Sequence, residues 1–202
     1  MTIGGDHSIS YPLLKAYHTH YNGPVALIHF DAHLDTWDTY FGQPHTHGTP
    51  FRRAAEEGLF CQHTSMHVGI RGPVYDAQDF VEDAELGFKI IRADDIEDIG
   101  IQGIVQRMRD RLGTNNMPVY ISIDIDVLDP AFAPGTGTPE AGGFSSRELI
   151  HLLRGLKGLN IVGADVVEVA PAYDHAEITC MAASTICFEL MSLMAVSKKN
   201  FF

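Results

Sequence analysis

Short apolar runs alternate along the chain with stretches in which apolar residues recur at every third or fourth position. The apolar runs are rich in β-branched residues and predict five strands, at residues 25–30, 66–70, 88–91, 118–123 and 160–167. Helical spacing is clearest in residues 101–112, which carry an apolar face. This alternation indicates a parallel sheet that is covered by helices on both faces.

Three further segments predict helices by their ends or by their composition. Ser10 followed by Pro12 can start a first helix, and Ser145 with Glu148 forms a capping box ahead of a second. Residues 176–196 are apolar almost all round, which predicts a well-buried helix. We therefore expect an α/β fold, a three-layer α/β/α arrangement with a mainly parallel sheet, in one domain over residues 1–202.

Composition and charge narrow the possible partners. The chain has 202 residues, of which 45% are apolar, and a formal net charge of −12. This charge suits a cationic substrate or metal ions and argues against nucleic acid, which needs clustered Lys and Arg. No apolar run approaches the length of a membrane span, and the N-terminus lacks the features of a secretory signal. Three cysteines without metal spacing fit a reducing compartment, so we expect a cytoplasmic protein without a membrane partner.

Acidic residues and histidines crowd the positions that directly follow predicted strands. They form three clusters: Asp31, His33 and Asp35 in HFDAHLDTWD, Asp124 and Asp126 in SIDIDVLDP, and His7 in GGDHS. Residues two apart in an extended chain point the same way, so the members of a cluster can face one point. Strands of a parallel sheet also end at one edge, where open α/β sheets bind ligands.

So many ionisable groups are costly to bury unless cations neutralise them. Oxygen-rich sites with some imidazole suit Mn, and four carboxylates with two histidines are too many for one ion with an open position. They fit two ions, which would activate water at neutral pH, so the residues predict metal-assisted hydrolysis. A two-metal phosphoesterase is compatible with the clusters, but none of them contains the Arg or Lys that phosphate sites use.

The same motifs resemble those of a known family. GGDHS, DAHLD and SIDIDVLDPAFAPGTGTPEAGG together are similar to the ureohydrolases, which include arginase and agmatinase. HGTPFRRA and VEVAPAYD look like the agmatinase branch, to which guanidinobutyrases and proclavaminate amidinohydrolases also belong. The resemblance implies an arginase/deacetylase-like fold with two Mn²⁺ ions as cofactors.

Residue roles follow from this resemblance position by position. It implies that one Mn²⁺ is bound by His7, Asp31, Asp35 and Asp124, and the other by Asp31, His33, Asp124 and Asp126. Asp31 and Asp124 would bridge the ions, and Asp35 would also act in catalysis. Glu168 would bind the guanidinium group of the substrate, and His47 would contact the substrate and shuttle protons. His45 could replace His47, although Gly48-Thr49-Pro50 favour His47.

The resemblance implies hydrolysis of a small cationic guanidino compound, foremost agmatine to putrescine and urea. Guanidinobutyrase or proclavaminate amidinohydrolase activity is the alternative within the family. A non-catalytic ureohydrolase-like subunit and a metal-dependent deacylase are alternatives of other classes. Family members are expected to form trimers or hexamers. They also carry a longer portion before GGDHS, so we expect this single ureohydrolase domain to lack it and to be less stable for that reason. A mitochondrial targeting segment would lie in that portion.

Overall fold

A six-stranded sheet forms the centre of the protein in a computed structural model, which describes residues 1–114 and 116–199. Its strands are β1 (Thr2–Ile3), β2 (Ala26–Phe30), β3 (Met66–Ile70), β4 (Lys89–Arg92), β5 (Val119–Asp124) and β6 (Ile161–Val167). They lie in the order β1-β6-β5-β2-β3-β4, and the pairings between neighbours are parallel. The five strands predicted from apolar runs are confirmed to within one residue at either end.

Within the described residues, consecutive strands are connected by the helices α1 (Ser10–Tyr21), α2 (Pro50–Glu56), α3 (Gln78–Glu85), α4 (Asp95–Leu112) and α5 (Ser146–Gly155), and α6 (Ile178–Lys199) follows β6. The capping box is confirmed, because Ser145 and Glu148 each accept a hydrogen bond from the other's backbone N–H. The short helices α2 and α3 were not predicted. Their apolar positions are too few to establish a period.

The sheet separates two hydrophobic clusters, which confirms the three-layer α/β/α arrangement. Side chains on one face of β2 and β5, such as Ile28 and Ile121, pack with apolar residues of α4, α5 and α6. Side chains on the other face, such as Leu27 and Tyr120, pack with residues of α1 and α2. Alternate residues of a strand point to opposite faces, so each buried strand supplies both layers.

Helix α6 corrects two expectations. It was predicted to be well buried, but Met181, Phe188 and Met191 are 66%, 64% and 50% exposed, because only one side of the helix faces the sheet. Residues Ile178–Ser197 have a mean hydropathy of 1.6 and are long and apolar enough to cross a membrane. The expectation that no apolar run reaches that length is therefore wrong. The buried side of α6 packs against β6 and α5, as in the core helix of a globular domain.

A row of polar side chains crosses the α1/α2 face of the sheet. Asp165 of β6, Ser122 of β5, His29 of β2 and His67 of β3 are register partners from strand to strand. All four are fully buried. Because Asp31 and Asp124 stand two residues beyond His29 and Ser122, the polar row lies one layer beneath the strand ends.

Candidate active site

The carboxyl ends of β1, β5 and β2, three strands of the same parallel sheet, bring the predicted metal ligands together. Asp31 directly follows β2, and Asp124 is the last residue of β5. His7 lies in a short 3-10 turn after β1, and Asp6 caps that turn by accepting a hydrogen bond from the N–H of Ser8. Asp126 lies in a second such turn, capped in the same way by Asp124. The parallel topology thus gathers side chains that are far apart in sequence.

Two groups of ligand atoms form within this cluster. His7 Nδ1 lies 3.1, 3.0 and 3.2 Å from carboxylate oxygens of Asp31, Asp35 and Asp124. His33 Nδ1 lies 3.4 Å from the other oxygen of Asp31 and 3.1 Å from Asp126. Asp31 therefore belongs to both groups. All of these residues except His33 are at most 6% exposed.

The donor set fits divalent cations. His7 Nδ1 is buried without a hydrogen-bond partner, although three carboxylates surround it, and the Nε2 atom of the same ring contacts Ser122 Oγ at 2.9 Å. An imidazole nitrogen aimed into a group of carboxylate oxygens is a suitable environment for Mn²⁺ and related ions.

Crowding of the carboxylates shifts their protonation equilibria. Burial, together with the charges of Asp126 and Asp31, raises the pKa of Asp124 well above its ordinary value. Burial and the charge of Asp31 raise the pKa of Asp126 from 3.8 to about 7. Without a cation, these carboxyl groups retain protons that a bound metal ion would displace.

These shifts predict opposite effects of pH on the metal-free and the metal-loaded protein. Asp126 has a higher pKa in the folded protein than in the unfolded chain, so its protonation favours the folded state. This contribution to stability is fully present below pH 3.8 and is lost as the pH rises through about 7. The melting temperature in chelator should therefore fall from about pH 5 to about pH 8, while the stabilisation by added Mn²⁺ grows over that range. Thermal unfolding scans with and without Mn²⁺ measure both trends, and a metal-induced shift that shrinks with rising pH would contradict the prediction.

Two residues of the candidate site have left-handed backbone conformations. The φ angles are +54° for Asp35 and +62° for Glu168, which are unusual for residues with a side chain. Such strain costs about 1–3 kcal/mol and is typical of functional sites. Glu168 is held by the N-terminal segment, since its Oε1 accepts a hydrogen bond of 2.7 Å from the N–H of His7.

A cavity of about 210 Å³ opens beside the ligand cluster. It is lined by His33, Asp35, Trp37, Tyr40, His47, Pro73, Asp124, Thr138, Pro139, Glu140 and Glu168. His47 thus lies next to the ligands, whereas His45 is exposed in a different depression beside Tyr11. The Tyr40 ring contacts the His47 ring edge to face, with centroids 5.0 Å apart.

Several polar residues that support the cluster were not predicted as functional. Ser122 and Tyr120 donate hydrogen bonds to Asp165 at 2.7 and 2.6 Å, and Ser122 also contacts His7. Ser122 and Asp165 have a signal in the sequence, since each is a polar residue inside an apolar strand, two positions before Asp124 and three before Glu168 respectively. His29 is a fully buried histidine that lies 2.7 Å from Asp31 through its Nε2 atom.

Comparison with known proteins identifies the family. A sequence model described as "Arginase family" matches residues 1–193. The chain belongs to the arginase family. The predicted resemblance is thereby confirmed. Two groups of residues could each hold a metal ion, which agrees with the binuclear metal centres of arginase-family enzymes: His7, His29, Asp31 and Asp35 in one, and Asp31, His33 and Asp126 in the other.

Relatives place the chain in the agmatinase-like branch of the arginase family. It is 48% identical to an agmatinase of Salmonella paratyphi B and 46% identical to a guanidinopropionase of Pseudomonas aeruginosa, each over 98% of this chain. The solved structure of proclavaminate amidino hydrolase from Streptomyces clavuligerus has a TM-score of 0.88 and 42% identity over 96% of this chain, and 63% of that structure is covered. The chain spans 60% and 61% of the length of the agmatinase and the guanidinopropionase.

Proposed function

We propose that this arginase-family chain hydrolyses a small guanidino compound to urea and an amine, with agmatine as the substrate and putrescine as the amine. Two Mn²⁺ ions would be held by His7, Asp31, Asp35 and Asp124 on one side and by Asp31, His33, Asp124 and Asp126 on the other. Bound ions would supply the positive charge that activates water as a nucleophile near neutral pH. The distances from His7 to Asp31, Asp35 and Asp124 and from His33 to Asp31 and Asp126 support this assignment, and the place of Asp124 in the second set rests on the family resemblance.

The observation that carries the choice of agmatine is the charge of the cavity. Besides the proposed metal ligands Asp35 and Asp124, it is lined by the carboxylates of Glu140 and Glu168, and its lining includes no Lys or Arg among the residues that the structure describes. A substrate tail that ends in a carboxylate would meet like charges without a cationic partner, which is unfavourable. Agmatine carries a guanidinium group at one end and an ammonium group at the other, so both ends suit an acidic cavity.

Glu168 and His47 have complementary roles in the proposed reaction. A planar guanidinium group donates paired N–H···O bonds to a carboxylate, and Glu168 is half-buried at the cavity wall, where it can accept them. His47 is a histidine in the same lining, and an imidazole can pass a proton to the departing amine at neutral pH. Asp35 would accept a hydrogen bond from the attacking water and orient it.

Relatives with other substrates supply the alternative within the family. The names guanidinopropionase and proclavaminate amidino hydrolase describe proteins that are 46% and 42% identical to this chain. Guanidinobutyrase or proclavaminate amidinohydrolase activity is therefore the second candidate. These substrates carry a carboxylate, so the charge of the cavity disfavours them.

Urea release from the purified chain tests the proposal. We expect Mn²⁺-dependent urea from agmatine at a higher kcat/KM than from guanidinobutyrate, proclavaminate-type guanidines or arginine, and loss of urea after chelation. A preference for an acidic guanidine would support the alternative activity. Two bound Mn²⁺ ions without urea from any substrate would contradict hydrolysis and favour a non-catalytic subunit.

We also propose that residues 1–202 form one ureohydrolase domain that assembles into a trimer or hexamer. The single sheet with a hydrophobic cluster on each face supports the domain assignment. Exposed apolar side chains on α6, including Met181 and Phe188, offer a surface for association. Light scattering during size-exclusion chromatography would contradict the assembly if the chain remained monomeric. The cytoplasmic location stays a prediction.

A further inference from the structure

Asp83 of α3 lies outside the cavity lining and is fully buried. Its Oδ1 accepts a hydrogen bond of 2.9 Å from Thr36 Oγ1 and lies 3.0 Å from His67 Nε2. Its Oδ2 has no hydrogen-bond partner within the described part of the chain. Among residues 1–114 and 116–199, the hydrogen bonds of this buried carboxylate therefore reach only His67 and Thr36. Each of these two residues leads on to a candidate metal ligand.

One chain of hydrogen bonds runs from Asp83 through two histidines to Asp31. His67 Nδ1 lies 2.6 Å from His29 Nδ1, and His29 Nε2 lies 2.7 Å from Asp31 Oδ2. The His67 ring stacks on Phe88 with centroids 3.9 Å apart, and the His29 ring packs on Phe51 at 4.2 Å. This packing fixes the ring planes, so the remaining freedom concerns which nitrogen carries a proton.

The carboxylates at the two ends of this chain determine which ring nitrogens donate. A carboxylate only accepts, so His29 Nε2–H must donate to Asp31. At the other end Asp83 Oδ1 accepts from His67 Nε2–H, and the 2.6 Å contact between His29 Nδ1 and His67 Nδ1 holds one further proton. Asp83 can therefore fix the protonated nitrogen of His67, and through it the orientation of the His29 N–H toward Asp31.

The other connection is shorter and leads from Asp83 through Thr36 to Asp35. Thr36, which donates to Asp83, directly follows Asp35, whose φ of +54° is held against its intrinsic preference. The backbone oxygen of Asp35 also accepts a hydrogen bond from the N–H of Phe51. Anchoring the Thr36 side chain therefore restrains the backbone that presents Asp35 to His7.

We propose that Asp83 is a positioning residue that holds Asp31 and Asp35 ready for divalent cations, an inference that rests on the proposed metal site. Residues that hydrogen-bond to metal ligands fix their orientation, and their loss weakens metal affinity about 10–100-fold. Asp83 would contribute more to metal affinity than a residue that positions a single ligand, because it acts on both Asp31 and Asp35.

Manganese affinity of the purified chain tests the inference without an activity assay. Mn²⁺ is titrated in competition with a fluorescent chelator, and unfolding of each variant is followed in excess chelator. We expect Asp83→Leu, which removes both acceptor contacts, to weaken Mn²⁺ binding about 10–100-fold. Asp83→Asn should retain most of the affinity, because its amide oxygen can still accept the hydrogen bonds from His67 and Thr36. Glu85→Gln, the same kind of change at an exposed carboxylate of α3, should bind like the wild type.

A second variant keeps the inference testable if Asp83→Leu does not fold. Thr36→Val removes only the hydroxyl that restrains Asp35, and it should weaken Mn²⁺ binding by about tenfold. Unchanged affinity in folded Asp83→Leu or in Thr36→Val would overturn the inference while leaving the metal site intact. If the wild type binds no Mn²⁺, the proposed function fails and the inference fails with it. A purely structural role would lower stability in chelator and leave the affinity of the folded protein unchanged.

Discussion

Asp124→Asn should abolish most Mn²⁺-dependent urea release while making the metal-free protein more stable. The substitution removes the charge of a proposed bridging ligand, whose Oδ2 lies 3.2 Å from His7 Nδ1. Bound cations would lower the pKa of the attacking water, and loss of a ligand charge would weaken that effect, so we expect kcat to fall on the order of a thousandfold or more. In the metal-free protein the neutral amide also removes the cost of protonating this buried carboxyl group at neutral pH, a cost that the raised pKa of Asp124 reflects.

The two effects of this substitution are measured separately. Urea assays at saturating Mn²⁺ give kcat, and melting temperatures in chelator give the stability of the metal-free protein. Asp98→Asn, the same change at an exposed position of α4, is the matched control and should leave both values unchanged. A lower melting temperature in chelator would mean that Asp124 stabilises the fold in the absence of metal, contrary to the prediction. An unchanged response to Mn²⁺ would exclude Asp124 as a ligand.

Glu168→Gln should lower kcat/KM for agmatine by roughly 30- to 4,000-fold and leave Mn²⁺ stoichiometry unchanged. Losing the negative partner of a desolvated charge pair costs about 2–5 kcal/mol, and each 1.4 kcal/mol corresponds to tenfold. Glutamine is the suitable replacement because its amide oxygen can still accept the hydrogen bond that Glu168 Oε1 receives from the N–H of His7. The change therefore removes charge from the cavity without releasing the His7 segment.

Glu177→Gln provides the control for this experiment. Glu177 also follows β6 and also has a positive φ, of +58°, but it is exposed and does not line the cavity. We expect it to match the wild type in kcat/KM. If Glu168→Gln instead lost Mn²⁺ and kept its affinity for agmatine, Glu168 would position His7 rather than bind the guanidinium group.

The sequence predicts the sheet and its ligand-bearing edge because both are encoded locally. Residues 119–124 of β5 are an apolar run that ends at an acidic residue, and the same is true of residues 26–31. Parallel topology then requires these ends to meet, so the clustering of Asp31 with Asp124 could be expected before the structure was known. The alternation of strands and helices was sufficient for the three-layer arrangement.

The supporting layer could not be predicted in the same way. His67 is one polar residue in a buried strand, and its pairing with Asp83 depends on the position of α3, a helix of eight residues without a clear period. The exposed side of α6 was missed for a related reason. A helix that is apolar all round gives no indication of which side the sheet will cover, and only the packing shows that Met181 and Phe188 remain exposed.

The long sequence separations within the ligand cluster have a consequence for folding kinetics. His7 contacts Ser122 and Glu168 across 115 and 161 residues, so these contacts require loops that span most of the chain to close. Such non-local contacts form slowly and are expected late, after most of the sheet has assembled. A cation that needs the completed cluster therefore has little to bind in the transition state. Its main effect would be to slow unfolding and prolong the lifetime of the native state.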